Sequence, residues 1–373
     1  MTSKKRRWSN IINDELSKRI AGNIEAREII FAFMLGKLVI NCKPASFNLL
    51  LKCDSSSGKD WLVKNVAELF PENHVEYWGR ITPKSLNFIH DAKLEPDFTY
   101  NGRVIYLEEI TENTLNDEVM KVITSGKNKL ASVEKGKAII KEVKGKPVII
   151  ATSFRSMPST EILNRIAVIK LNTTQEQIRA VLKKRGEVAQ KGAEEEYCLE
   201  TIKKHGALKR YSVVIPFARK IAKHFPANSL SETRLIDRFY DLIRAIACYF
   251  QNPEDENYDG SIDADGEDYE IAKSIFENLP FGFPDFMLSE TQQRILEVMK
   301  KQKEPLDASA ILQELEKPMS IQGFRPHLQR LVDLKKLEEI PLWNEKHYNV
   351  NKYQISEESG NSGTLKLPDY EDL

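Results

Sequence analysis

The chain has 373 residues, of which 41% are hydrophobic and 29% are charged. This composition excludes a disordered, collagen-like or disulfide-dense protein and predicts a globular one with room for two or three domains. The 55 basic residues balance the 55 acidic ones, so net charge neither favours nor excludes a nucleic-acid partner. The four cysteines form no C-x-x-C pair, which argues against zinc and favours a reducing compartment.

Export and membrane signals are weak in this sequence. The basic start, Lys4 to Arg7, is not followed at once by an apolar segment, so a secretory signal is not expected. The apolar run from Ile29 to Leu35 is too short to cross a bilayer and is typical of a buried helix. We expect a cytoplasmic protein without a membrane partner, whose charged ends are solvated tails.

The first strand, loop and helix lie near the N-terminus. Apolar residues at helical spacing run from about Ile11 to Leu38, and the short apolar strand from Phe47 to Lys52 enters a loop rich in serine and glycine. Helical spacing returns from Trp61 to Phe70 and stops before Pro71. This context is the one that a phosphate-binding loop requires.

The loop itself matches the pattern G-x-x-x-x-G-K-[ST] in part. Gly58 and Lys59 fit, whereas Cys53 replaces the first glycine and Asp60 replaces the hydroxyl residue. Backbone N–H groups and a helix N-terminus would bind the β- and γ-phosphates there, and the lysine would supply a positive charge. A serine-rich surface loop would look similar, so both interpretations stay open at this point. The candidate nucleotide-binding residues of the loop are Ser55, Ser56, Ser57, Gly58, Lys59 and Asp60.

Short apolar strands recur along the next 120 residues. They run from Val104 to Leu107, from Pro147 to Ala151 and from Ala167 to Leu171, with helical segments between them. Strands that alternate with helices in this way predict a parallel α/β sheet covered on both faces.

An acidic pair and then two hydroxyl residues follow successive strands, and ATP hydrolysis requires groups of both kinds. Glu108 and Glu109 end one strand, where the first would hold Mg²⁺ and the second would polarise the attacking water; a solvated acidic loop is the alternative. Thr152 and Ser153 end the next strand, where a hydroxyl would orient that water. The pattern does not fix the register, and Ser153 is taken as the catalytic candidate.

Two arginines complete the candidate site. Arg165 ends a short helix and suits an arginine finger that reaches the γ-phosphate in a neighbouring subunit, although a surface arginine at a helix C-terminus would look the same. Arg234 opens a long helix within the basic helical stretch from Gln175 to Phe250, which is typical of a lid, and would bind the nucleotide as a second sensor. A finger that acts in trans implies a homo-oligomer, most simply a hexamer.

The acidic segment 253–268 has part of the spacing of a calcium loop. Gly266 stands where a bidentate glutamate is needed. An exposed hairpin or loop is therefore the favoured interpretation.

The last part of the chain has the pattern of a small separate domain. Helices are predicted from Thr291 to Lys300, from Ala308 to Leu315 and from about Gly323 to Leu334, and two strands follow between Leu337 and Ile355. Three helices with a β-hairpin indicate a winged helix, with the wing at 343–351. Residues 357–373 are polar and are predicted to form a disordered acidic tail.

The order of these motifs resembles that of the AAA+ ATPases, and more narrowly that of minichromosome-maintenance (MCM) and primase-associated helicases of archaea, plasmids and viruses. The resemblance covers about 25–355 and includes Asn164-Arg165, Thr233-Arg234 and the segment 77–86. It implies an α/β fold, an AAA+ P-loop parallel sheet with a helical lid, followed by a C-terminal winged-helix domain. The expected divisions are a basic segment 1–24, a nucleotide-binding core 25–172, a lid 173–285, a winged helix 286–356 and a tail 357–373. The large N-terminal DNA-collar domain of full MCM helicases is not found in the sequence.

The resemblance also implies DNA contacts. In such helicases a helix and a basic hairpin precede the first sensor, and the hairpin grips DNA phosphates in a central channel. A solvated hairpin is the alternative, and the winged helix could bind a protein instead of DNA. The candidate DNA-binding residues are Lys135, Lys137, Lys141, Lys144 and Lys146 in the hairpin, and Arg325, Arg330 and Lys346 in the winged helix.

The sequence thus predicts an ATP-dependent DNA-replication motor, a helicase or initiator, that uses ATP and Mg²⁺ and meets other replication proteins. Cys53 should stiffen the loop, and Asp60 would either bind Mg²⁺ or repel the γ-phosphate. These substitutions favour a rival interpretation, a non-hydrolysing winged-helix DNA-binding initiator or regulator with a vestigial nucleotide site. A helicase loader is a third possibility.

Overall fold

A computed structural model of the chain describes residues 3–53, 57–79, 81–82, 99–126, 129–134, 137–142, 144–154, 158–171, 173–226, 232–280, 288–302, 304–315, 319–334, 336–343, 349–356 and 365–373. The chain divides into two compact units. The first is Met1–Leu279 with Lys366–Leu373, and the second is Pro280–Leu365.

The centre of the first unit is a parallel five-stranded sheet. Its strands are β1 (Leu49–Lys52), β2 (Val75–Trp78), β3 (Val104–Leu107), β6 (Val148–Ser153) and β7 (Ala167–Ile169). They lie in the order β2-β3-β6-β1-β7, and every neighbouring pair is parallel. All residues of β3 and β6 are buried, because helices cover a parallel sheet on both faces.

Helices and two short pairs of strands surround this sheet. The α-helices that the structure describes in the first unit are α1 (Ser3–Ser9), α2 (Ile24–Leu35), α3 (Lys59–Ala67), α4 (Glu112–Leu115), α5 (Glu118–Thr124), α6 (Thr160–Leu163), α7 (Gln175–Lys191), α8 (Leu199–Ala207), α9 (Ala218–His224), α10 (Glu232–Tyr249) and α11 (Gly266–Glu277). An antiparallel hairpin joins β4 (Lys129–Glu134) to β5 (Lys137–Glu142). A parallel pair joins β8 (Val213–Val214) to β9 (Ile262–Asp263).

The predicted α/β class and parallel sheet are confirmed, with two differences. The edge strand β2 was not predicted, because it is short and only its first residue, Val75, is fully buried. The helix predicted from about Ile11 to Leu38 is broken, since Gly22 and Asn23 both have positive φ angles, of 62° and 47°. Such angles end a right-handed helix, and α2 starts at the next residue.

The prediction of a disordered tail over 357–373 is wrong for its described part, 365–373. Tyr370 packs edge-on against Phe217, with ring centroids 5.1 Å apart, and the Tyr269 hydroxyl donates to the Pro368 carbonyl at 2.7 Å. At the other end of the chain, Lys4 pairs with Asp268 at 2.8 Å. Neither end is a solvated tail, because both lie on the acidic helix α11.

In the residues of the second unit that the structure describes, there are three helices and a small antiparallel sheet. The elements of this unit in chain order are α12 (Glu290–Lys301), β10 (Leu306–Asp307), α13 (Ala308–Glu314), α14 (Ile321–Asp333), β11 (Leu337–Trp343) and β12 (Asn349–Ile355). The strands lie in the order β10-β12-β11. Helix α14 contains Pro326 and buries Phe324, Leu328 and Leu331, which follow the helical spacing that the sequence predicts.

No helix in the part of the chain that the structure describes combines the length and apolar character needed to span a bilayer.

Lys37, after α2, is a buried cation without a carboxylate partner among the described residues. Lys37 is 3% exposed. Its Nζ lies 2.6 Å from Nδ1 of His74 and 4.5 Å from the centroid of the Phe70 ring. Burial lowers the pKa of Lys37 to about 7. The Lys37 side chain is therefore only partly protonated at neutral pH.

We expect the free energy of unfolding to rise between pH 7 and pH 8.5 more steeply in the wild type than in Lys37→Met. The unfolded chain keeps the lysine proton up to its ordinary pKa of 10.5, while the folded chain releases it above about pH 7. A folded pKa below the unfolded one adds stability as pH rises, by at most about 1.4 kcal/mol per pH unit. Urea unfolding at both pH values measures this difference. The exposed Lys209→Met variant should follow the wild type, and a Lys37→Met curve parallel to the wild type would contradict the assignment.

Candidate active site

The phosphate loop lies between the carboxyl end of β1 and the start of α3, as the sequence predicts. Gly58 is the residue before α3 and has a φ angle of 80°. An added Cβ there would meet no atom within 4 Å, so glycine is required for its left-handed backbone and not for space. The Ser57 hydroxyl is buried and has no hydrogen-bond partner among the described residues, which leaves a donor free for a ligand.

Cys53, at the position of the first glycine, anchors the start of this loop. Its backbone N–H donates to the Ser153 carbonyl at 3.2 Å, and its Sγ accepts from the Leu171 N–H at 2.9 Å. Cys53 is 3% exposed. The loop is thus fastened to the sheet on both sides of β1.

Lys59 is the buried cation at the centre of the site. Its side chain is 5% exposed, and its Nζ lies 2.9 Å from Oε2 of Glu109 and 3.8 Å from Oδ2 of Asp60. The strand order brings these residues together, since β6 lies between β1 and β3 and all three end at the same edge. Lys59 and Glu109, both predicted as catalytic, are in direct contact.

Glu109 is held in an unusual backbone conformation. Its φ angle is 50°, which is uncommon for a residue with a side chain and is maintained only when neighbours fix it. Its N–H donates to Oγ1 of Thr152 at 3.0 Å, and the next N–H, of Ile110, donates to the Thr152 carbonyl at 2.8 Å. Oε1 of Glu109 accepts from the Phe154 N–H at 2.8 Å. These bonds direct the carboxylate towards Lys59.

Asp60 occupies the position where the motif has a serine or threonine. Its Oδ1 accepts hydrogen bonds from the Tyr106 hydroxyl at 2.8 Å and from the Thr152 hydroxyl at 2.5 Å. Burial raises the pKa of Tyr106 well above its usual range, so its hydroxyl is protonated and donates. Oδ2 of Asp60 lies 3.8 Å from Nζ of Lys59 and accepts no hydrogen bond from the described residues.

The Thr152 hydroxyl contacts two of the predicted site residues, and the role predicted for Ser153 stays a prediction. The Thr152 hydroxyl bridges the Asp60 carboxylate and the Glu109 backbone, while Ser153, also buried, accepts the Cys53 N–H through its carbonyl oxygen. Sequence analysis left these two hydroxyls open and did not find Tyr106. Tyr106 lies two residues before Glu108 in β3, and the alternation of strand side chains could have placed it on the same face.

Glu108 and Arg165 take partners within the chain. Oε2 of Glu108 lies 2.7 Å from Nζ of Lys64 on α3, so the predicted metal residues Asp60 and Glu108 bind different groups. Arg165 donates to the Lys121 carbonyl at 2.6 Å and pairs with Glu161 at 2.7 Å, which holds its guanidinium against α5 and α6. The described residues include no group of three or more His, Cys, Asp or Glu that could hold a metal.

The remaining candidate residues are placed less completely. Arg234 lies exposed on α10, Lys144 and Arg325 are exposed, and Arg330 is half-buried on α14. Lys137 and Lys141 belong to β5 by their backbone, and their side chains lie outside what the structure describes. Ser55, Ser56, Lys135 and Lys346 lie outside the described residues.

A family model described as the MTBMA_p00010 P-loop domain matches residues 11–205. The matched stretch contains the five strands of the central sheet, the phosphate loop, Glu109 and Thr152. No curated protein matches the chain.

We expect Thr152→Val to lower the free energy of unfolding by about 1–3 kcal/mol, because it leaves the Glu109 N–H without an acceptor and removes one donor to Asp60. Thr152→Ser keeps the hydroxyl and should recover most of that loss. Urea unfolding monitored by tryptophan fluorescence measures both variants.

Thr124→Val is the matched control for this prediction. The Thr124 hydroxyl is equally buried, but its acceptors among the described residues, the Met120 and Lys121 carbonyls, both belong to its own helix, so its loss should be smaller. A Thr152→Val variant no less stable than Thr124→Val would show that the hydroxyl does not organise the site.

Proposed function

The chain belongs to the family of the MTBMA_p00010 P-loop domain, and we propose that it is an AAA+-type ATPase that acts as a DNA-replication motor, a helicase or an initiator. The family and the α/β sheet support a nucleotide-binding P-loop NTPase. The observation that carries the proposal further is the contact of Lys59 with Glu109 at 2.9 Å. A phosphate-binding cation and a carboxylate base meet there at the edge where parallel strands place their ligands.

In the proposed reaction Lys59 leaves Glu109 and binds the β- and γ-phosphates of ATP. The backbone N–H groups at the start of α3 and the Ser57 hydroxyl bind the same phosphates. Glu109, released from the lysine, accepts the proton of the attacking water, and its position is fixed by Thr152. Charge stabilisation and positioning supply most of the rate in phosphoryl transfer.

The residues present fit a magnesium ion in one respect. Oδ2 of Asp60 accepts no hydrogen bond among the described residues, and carboxylate oxygens are the ligands that Mg²⁺ prefers in proteins. Asp60 would therefore hold the ion directly, where other P-loop proteins use a hydroxyl. The bound ion would neutralise charge on the phosphates.

The second unit supports the proposed DNA contact. Its order of helix, strand, two helices and two strands fits a winged helix, with α14 as the recognition helix. Arg325 is exposed on α14 while Phe324 and Leu328 hold the helix to the core. The β4–β5 hairpin, which contains Lys137 and Lys141, would bind DNA phosphates without reading sequence.

Exposed apolar side chains support assembly into a ring. Trp61, next to Asp60 on α3, is 48% exposed, and Tyr77, near the end of β2, is 45% exposed. Ile178 and Leu182 lie one turn apart on α7 and are also exposed, which is a pattern typical of an interface. In the assembled protein Arg165 would leave Glu161 and reach the nucleotide of the neighbouring subunit.

We expect Glu109→Gln and Arg165→Ala each to reduce steady-state ATP hydrolysis at least 100-fold while ATP binding persists. A mixture of the two variants should recover hydrolysis, because some interfaces then combine an intact Glu109 with an intact Arg165 of the neighbour. The measurement is phosphate release with and without single-stranded DNA, for each variant and for the mixture.

Glu161→Ala is the matched control, since it removes the partner that holds Arg165 within the chain and should leave hydrolysis intact or raise it. Loss of ATP binding in Arg165→Ala, or no recovery in the mixture, would contradict the action of Arg165 in trans. Unchanged hydrolysis in Glu109→Gln would contradict the catalytic assignment itself.

A second candidate function is a DNA-binding regulator that binds a nucleotide without hydrolysing it. Asp60 favours it, because this carboxylate lies 3.8 Å from Lys59 and adds negative charge where the triphosphate would bind. Absence of turnover in the wild type under every DNA and metal condition, together with retained ATP binding, would favour this function.

A further inference from the structure

A cavity of about 250 Å³ lies at the sheet edge opposite the phosphate loop. Its walls include Ile40 and Phe47 ahead of β1, Asn101 ahead of β3 and Val148 at the start of β6. The phosphate loop follows the carboxyl ends of the strands, whereas this cavity is at their amino ends. The two sites are therefore separate.

Three exposed cations line this cavity: Lys43, Lys146 and Arg210. None of them has a carboxylate within ion-pair distance among the described residues. Nε of Arg210 donates to the Lys37 carbonyl at 3.1 Å, and its two terminal nitrogens have no acceptor in the described part of the chain. A cleft lined by charges of one sign raises the local concentration of counter-ions, so three unpaired cations on one concave surface favour an anionic ligand.

The carboxylate of Asp241, which accepts the Lys43 N–H, is neutralised by Arg244. Its Oδ1 accepts from Arg244 at 2.5 Å, and its Oδ2 accepts from the Ser46 hydroxyl at 2.6 Å and from the Lys43 N–H at 2.8 Å. Asp241 is fully buried. The net charge around the cavity is consequently positive.

On the side of Arg210, hydrogen bonds between two segments of the chain hold the cavity wall in place. A parallel bridge joins Val39 to Tyr211, and the Asn41 side chain donates to the Val213 carbonyl and accepts its N–H at 3.0 and 3.1 Å. These bonds hold Arg210 beside the segment that carries Lys43.

The opposite wall is fixed in a similar way. The Lys146 N–H donates to Oδ1 of Asn101 at 3.0 Å, and the Tyr100 N–H donates to the Lys144 carbonyl at 2.8 Å. The pKa of Cys42, on the cavity surface, rises to about 11 because of burial first and Asp241 second, while Lys146 and Arg210 act in the opposite direction. Lys146 and Arg210 therefore both lower the pKa of the Cys42 thiol, each from its own wall of the cavity.

We propose that this cavity is a second anion site that binds a phosphate group through Lys43, Lys146 and Arg210. A planar guanidinium suits two phosphate oxygens at once, and the lysines add point charges. The volume lies below the roughly 300 Å³ at which pockets for drug-sized ligands begin, and it is large enough for a phosphate group. The group is supplied either by a free phosphate compound or by the backbone of a nucleic-acid strand.

The test uses the full chain with Lys59→Ala, so that the phosphate loop does not contribute. Inorganic pyrophosphate is titrated calorimetrically, and a short oligo(dT) is titrated by fluorescence anisotropy at the same ionic strength. We expect Lys146→Gln and Arg210→Gln each to weaken binding about tenfold, the loss of one charge-assisted contact. Lys209→Gln, which removes a neighbouring exposed cation outside the cavity, should change affinity less than twofold.

Lys146→Gln keeps the backbone bond to Asn101, so a folding defect does not explain its effect. Pyrophosphate binding that depends on Lys146 and Arg210 supports a free phosphate compound as the ligand. Oligonucleotide binding with that dependence, without pyrophosphate binding, supports a nucleic-acid backbone. Equal affinities in the cavity variants and Lys209→Gln, for both ligands, would overturn the proposal whether or not the phosphate loop hydrolyses ATP.

Discussion

The ion pair between Lys59 and Glu109 is the interaction on which the site depends. A buried ammonium is costly unless an opposite charge meets it, and Glu109 meets it at 2.9 Å. That contact exists because β6 lies between the strand of the phosphate loop and the strand of the acidic pair, and because Thr152 fixes Glu109 in a left-handed backbone conformation. The strained residue and the catalytic candidate are the same one, which is common at functional sites.

This pair also defines a competition within the site. In the proposed reaction a nucleotide phosphate and the Glu109 carboxylate are alternative partners for one buried cation, so ATP binding and the release of the candidate base would be the same event. Asp60 remains in place in this exchange, because Tyr106 and Thr152 both donate to its Oδ1. The Asp60 carboxylate is therefore a hydrogen-bonded part of the site. These two bonds explain how the loop accommodates an aspartate where its motif has a serine or threonine.

The apolar runs of the sequence predict the central strands well, since the bounds of β3 match and those of β1, β6 and β7 differ by two residues or fewer. The positions of Lys59 and Glu109 next to their strands could also be predicted, because their motifs are local, while their catalytic roles stay predictions. Alternation along β3 places Tyr106 on the same face as Glu108, but its contact with Asp60 could not be predicted, because an aromatic residue in a buried strand is normally core and the contact spans 46 positions. The contact of Lys4 with Asp268 spans 264 positions, and charge patterns alone do not specify such pairs.

The most direct test of this account is the affinity for ATP of the wild type and Glu109→Gln, measured at equal Mg²⁺, with Glu108→Gln as the control. The account predicts that Glu109→Gln binds ATP about two- to fivefold more tightly, because it removes the charge that competes for Lys59. Glu108 pairs with Lys64 instead, so Glu108→Gln should bind as the wild type does. Equal or weaker binding by Glu109→Gln would contradict the claim that the nucleotide displaces Glu109 from Lys59.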